Sequence, residues 1–98
     1  MAYEITGLNA AHTSSSAIGL TWSNHAPTHG YTEIRIYRKK DSGSFALVHT
    51  SSAVATSWGD TGLEEGAKYT YYCIASYTLP PDYDVTYNTG PSNEDYDY

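Results

Sequence analysis

Two histidines set four apart, His25 and His29 in "NHAPTHG", and two aspartates flanking a tyrosine, Asp82 and Asp84 in "LPPDYDVTY", are the residue types here that could hold a metal. On a helix the histidine spacing would align both imidazoles on one face, as zinc sites exploit. Pro27 and Gly30 make that stretch a loop, so the spacing loses its meaning and ordinary exposed loop residues are the simpler reading. His12 and His49 have no partner near them in the sequence and read as surface strand positions. Serine is abundant, but "TSSSA" and "TSSAV" lack the strand, elbow and helix that make a serine hydroxyl nucleophilic. Glu64 and Glu65 fall in a turn, where solvated carboxylates suffice. No Gly-rich phosphate loop precedes a helix, because no helix is predicted. Neither catalysis nor a metal or other cofactor is expected.

Contact chemistry has better support. The chain carries 11 tyrosines, more than a core this small can absorb, and Tyr83 and Tyr87 fall in a long connection while Tyr96 and Tyr98 fall in the acidic tail "SNEDYDY". Tyrosine offers rigid amphipathic contact area at low entropic cost. Pro80 and Pro81 restrict the same connection. The candidate binding residues are therefore Pro80, Pro81, Asp82, Tyr83, Asp84 and Tyr87, joined by Tyr96 and Tyr98 of the tail and by His25 and His29 if their loop lies at the same end.

The elements that would position these residues are short and extended. Ile18, Leu20 and Trp22 in "SAIGLTWSN" share one face at period two, and Ile34 and Ile36 alternate with Arg35 and Tyr37 in "YTEIRIYRK". A first strand is predicted over Glu4 to Ala11, with a turn at "TSSS" after it. "KDSG" supplies turn chemistry between the third strand and "SFALVHT", which makes a hairpin. A short strand around Trp58 follows, then a corner over Leu63 to Lys68, a strand from Tyr69 to Tyr77, and a last strand at "GPSNE". Such short strands separated by turns predict an all-β, seven-stranded antiparallel sandwich. The acidic tail from Asn93 is predicted to fray on composition alone.

Bulk properties agree. A chain of 98 residues makes one domain, able to bury roughly 60–70% of its unfolded surface. Cys73 is the only cysteine, so no intrachain disulfide forms, and its apolar strand makes it a small buried hydrophobe. Formal net charge is −6, with Arg35, Arg38, Lys39 and Lys40 clustered and only Lys68 elsewhere. A nucleic-acid footprint needs a basic face that neutralises several phosphates, so nucleic acid is not an expected partner. No apolar run is long enough to span a bilayer, and "MAYEITGLNA" lacks the basic start and hydrophobic centre of a signal peptide.

"TSWGDTGLEEGAKYTY" resembles the region between the fifth and sixth strands of fibronectin type III domains, especially bacterial and phage versions. Leu63, Gly66 and Tyr69 match the spacing of that family's tyrosine corner. Trp22 matches its core tryptophan, Leu8 lies fourteen residues earlier where the family keeps an apolar residue, and "EIRIYRKKDSGSFALV" looks like its third strand, turn and fourth strand. The resemblance covers about Ile5 to Ser92, so residues 1–92 are expected to be one such domain and 93–98 its tail. It implies that the Tyr69 hydroxyl bonds back to the backbone just upstream, with Leu63 beneath and Gly66 permitting the bend. It also implies that the His25–His29 loop and the Asp82–Asp84 loop share one end. Three departures stand out. Proline is missing near the first strand, the connection from Tyr77 to Gly90 is long, and position 71 is Tyr where the family is aliphatic, which leaves a phenolic hydroxyl needing a partner.

A non-enzymatic structural or interaction module follows. The leading expectation is an accessory or decoration protein of a phage virion, on capsid or tail, made in the host cytoplasm and contacting shell or tail proteins. The alternative is an extracellular bacterial setting, as a spacer or carbohydrate-contacting module of a secreted polysaccharide-degrading enzyme or an adhesin. No Arg-Gly-Asp tripeptide is present, which removes an integrin-type reading.

Overall fold

Strand alternation sorts this chain into faces. In the computed structural model, which describes residues 3–81 and 83–98, Ile18, Leu20 and Trp22 point into the interior while Thr21 and Ser23 face solvent. Eight strands follow in order: β1 (Thr6–Ser14), β2 (Ala17–Ser23), β3 (Tyr31–Lys40), β4 (Ala46–Ser51), β5 (Ser57–Asp60), β6 (Tyr69–Tyr77), β7 (Tyr87–Asn88) and β8 (Asp95–Asp97). They form a three-stranded sheet in the order β1-β2-β5 and a five-stranded sheet in the order β4-β3-β6-β7, with β8 also paired to β6. Every pairing is antiparallel. The chain is an all-β two-sheet sandwich with no helix among the described residues.

Two boundaries differ from the sequence reading, each for a local reason. The first strand starts at Thr6 and runs on to Ser14, because its ladder with β2 continues to the Ser14–Ala17 pair. The seventh strand comes as two pieces, β7 and β8, flanking the "GPSN" stretch where it was expected. Pro91 has no N–H to contribute there. Side chains fill the gap: the Ala75 and Cys73 N–H groups donate to Thr89 Oγ1 (3.1 Å) and Ser92 Oγ (2.8 Å).

The tail is not frayed. Asn93, Asp95 and Asp97 alternate along one side of the last strand and reach across to the outer edge of β1. The N–H groups of Leu8, Ala10 and His12 donate to Asn93 Oδ1 (2.9 Å), Asp95 Oδ2 (2.8 Å) and Asp97 Oδ2 (2.7 Å). Asn93 Nδ2 donates back to the Leu8 carbonyl at 3.0 Å, and His12 Nδ1 lies 3.0 Å from Asp97 Oδ2. An open strand edge invites pairing with another chain. Here three short polar side chains occupy it. Tyr96 points the other way, with Lys68 Nζ 4.1 Å from its ring centroid.

Ile5, Leu8, Ile18, Leu20, Trp22, Ile34, Ile36 and Cys73 fill the space between the sheets. Burial pushes the Cys73 thiol up to about 12, which makes it inert packing at neutral pH. Trp22 is buried and its Nε1 donates to the Ala55 carbonyl at 3.0 Å. At the corner, the Glu64 N–H donates to the Tyr69 hydroxyl at 2.9 Å, Leu63 and Tyr69 are buried, and Gly66 has φ +85°. That positive φ suits glycine. The hydroxyl of Tyr71, fully buried, donates to Asp60 Oδ2 at 2.8 Å, and Arg38 Nη1 lies 2.8 Å from the same oxygen. A residue on β5 thus meets two on the opposite sheet. Burial raises the Tyr71 phenol well above its ordinary value, so it stays a hydrogen-bond donor.

Candidate functional site

β3 begins at Tyr31 and β6 ends at Tyr77, and the two are paired there, so the loops before β3 and after β6 emerge side by side. The Tyr31 hydroxyl secures this end. It accepts from the His25 N–H at 3.0 Å and donates to the Tyr3 carbonyl at 2.5 Å, tying the start of the chain beneath the first loop. Burial raises the Tyr31 phenol above its usual value, which keeps the proton that the second bond needs.

Two depressions open across these loops. The larger, about 450 Å³, is lined by Tyr3, Pro27, Thr28, His29, Leu79, Pro80 and Tyr83. The smaller, about 190 Å³, is lined by Leu79, Pro80, Pro81, Tyr83, Asp84, Val85 and Tyr87. Leu79, Pro80 and Tyr83 form the wall between them. Tyr83 holds φ +59°, a left-handed conformation that is uncommon for any residue with a Cβ. Its ring lies against His29, with centroids 4.4 Å apart. Tyr87 is anchored differently, its ring stacked on the buried Tyr77 at 5.6 Å, while Tyr77 and Tyr3 meet in a T-shaped contact at 5.1 Å. Tyr83, Val85 and Tyr87 nevertheless stay 45%, 59% and 45% exposed, an apolar rim in water.

The sequence candidates divide over the molecule. Pro80, Pro81, Tyr83, Asp84, Tyr87 and His29 meet at this end. Asp82 lies outside the described residues. His25 turns elsewhere, its Nε2 2.7 Å from Thr6 Oγ1, and among the described residues no group of three or more His, Cys, Asp or Glu could hold a metal ion. Tyr96 and Tyr98 sit near the opposite end, where β8 pairs with the start of β6, their ring centroids 5.9 Å apart. Sequence reasoning missed Tyr3, Pro27, Thr28, Leu79 and Val85. Leu79 and Val85 flank the tyrosine and proline cluster and could have been included on proximity, whereas Tyr3 arrives from the far end of the chain and leaves no local signal.

No family model matches the chain, and no curated protein is similar to it. Solved structures are. A Fn3-like protein from Clostridium thermocellum is 26% identical, with a TM-score of 0.70 over 98% of this chain and 92% of that one. The FN3 domain of human collagen XX is 17% identical, with a TM-score of 0.70 over 96% of this chain and 88% of the other. Pectate lyase Pel3 from Pectobacterium carotovorum is 12% identical, with a TM-score of 0.65 over 91% of this chain, which spans 26% of that protein. With its Tyr69 corner, its core Trp22 and its two antiparallel sheets, this chain has the fibronectin type III fold.

Proposed function

We propose that this domain is a non-catalytic contact module that holds a protein partner at its loop end. The observation that carries the reading is the pair of adjoining depressions divided by Tyr83, whose backbone conformation sets an aromatic ring between two hollows. Strained non-glycine backbone concentrates at sites of function, and tyrosine-rich loops are efficient contact surfaces. In the more specific form of the proposal the module is an accessory protein of a phage virion, with shell or tail proteins as partners. The likeness to a Fn3-like protein over nearly the whole of both chains supports the coarser reading, a non-catalytic interaction or structural module.

The test is occupancy on purified phage shells and tails, comparing the native chain with a Tyr83→Ala/Tyr87→Ala variant whose fold is verified by its amide spectrum. Native chain retained and variant lost is the expected result. Variant occupancy equal to native would overturn the loop-end reading. Removing the tail is not a clean alternative, because Asn93, Asp95 and Asp97 hold the β1 edge. The pectate lyase neighbour favours a second reading, a spacer or carbohydrate-contacting module of a secreted polysaccharide-degrading enzyme. Retardation of the native chain in a polygalacturonate gel, with no retention on any virion part, would favour it.

A further inference from the structure

We infer that the loop-end groove receives a long cationic side chain, a lysine or arginine presented by an extended segment of the protein partner. This deepens the contact-module reading and rests on it. The smaller depression, about 190 Å³, has room for one long side chain. Its walls divide by chemistry. Leu79, Pro80 and Val85 give an apolar channel of the kind that lysine and arginine stems cover while their heads stay wet. Tyr83 and Tyr87 supply phenol rings, whose faces attract a cation, and Asp84 supplies a carboxylate for a charge-assisted hydrogen bond.

Charge selects the sign of the guest. Among the described residues no lysine or arginine lines either depression. All five in the chain lie at Arg35, Arg38, Lys39, Lys40 and Lys68, and the formal net charge is −6. An anionic guest would meet no cationic partner in the groove and would approach against the field of the whole chain. Among the described residues Asp84 is the one carboxylate lining the smaller depression, too little for a metal ion, but a carboxylate beside two rings suits a monovalent organic cation. The larger depression beyond Tyr83, walled by Tyr3, Pro27 and Pro80, then takes the side chain two positions along the same segment, the next one on that face of an extended chain. Two adjoining hollows require that segment to be extended.

The experiment is an NMR titration of the full chain with three short acetylated Ala/Pro peptides identical except at one central position: lysine, Nε-acetyl-lysine or glutamate. The lysine peptide is expected to shift the amides of Leu79, Tyr83, Val85 and Tyr87, and acetylation to weaken binding by about tenfold. Asp84→Asn is expected to weaken the lysine peptide by roughly tenfold and to reduce the salt dependence of its binding. Equal binding of the acetylated or glutamate peptide, or shifts confined to another surface, would overturn the inference. So would absence of all peptide binding in a chain whose partner is still lost on Tyr83→Ala/Tyr87→Ala, a result that leaves the contact-module reading standing. If that variant keeps the partner, the loop-end reading falls and this inference with it.

Discussion

At Tyr71 a hydroxyl sits at a fully buried position, and its partner explains why the core tolerates it. Asp60 accepts from Tyr71 and pairs with Arg38, so one carboxylate oxygen satisfies a phenol and a guanidinium together. Asp60→Ala would leave both donors without an acceptor. A loss of about 3 kcal/mol is expected, at the low end for a broken buried pair, because the Arg38 side chain remains 30% exposed. Tyr71→Phe keeps the ion pair and should cost about 1 kcal/mol. Urea unfolding midpoints of the two variants check the order. At the corner, Tyr69→Phe leaves the Glu64 N–H unsatisfied and should cost roughly 1–3 kcal/mol, whereas Trp22→Ala should cost roughly 3–5 kcal/mol because a cavity is added. The corner was legible in the sequence because Leu63, Gly66 and Tyr69 are close neighbours along the chain. Asp60 was not legible as the partner of Tyr71, since the contact exists only after two sheets stack.

Among the elements, β8 departs furthest from expectation. Composition makes "SNEDYDY" a solvated tail, yet its alternation is that of a strand, with Asn93, Asp95 and Asp97 on one side and Tyr96 on the other. What could not be seen locally was the bare edge of β1 waiting for acceptors. Asp97 bonds to the Tyr98 N–H, the His12 N–H and the His12 ring, and these donors hold its carboxyl below the ordinary carboxylate value. A carboxyl whose folded pKa is depressed stabilises the fold above its unfolded value, and that contribution is lost as pH falls through the folded one. Stability should therefore decline from just above the ordinary value of 3.8 downward. Asp97→Asn keeps an acceptor without the charge, so its unfolding midpoint should vary less with pH over that window. Urea titrations of both chains across acid pH measure the difference.

For the molecule as a whole, the exposed rim assigned to contact, Tyr83, Val85 and Tyr87, lies outside the packed core. Two-sheet packing was readable from alternation and from the Tyr69 corner, while the groove was only partly readable, because Tyr3 joins it from the far end of the chain. Separation of this kind predicts that Tyr83→Ala changes thermal stability little while removing partner binding, a contrast that calorimetry and the occupancy assay resolve. The side-chain rungs between β1 and β8 carry one more consequence. Leu8, Ala10 and His12 meet Asn93, Asp95 and Asp97 in rising order, so these two strands run parallel. Tyr3 lies at the loop end and Asp97 beside Tyr69 at the corner end of a body 48 Å long. Tension applied between the two chain ends would therefore load all three rungs at once in shear rather than peel them singly. Because two of the three are carboxylates, the rupture force in a single-molecule pulling experiment should drop in acid, giving a tether whose strength is titratable.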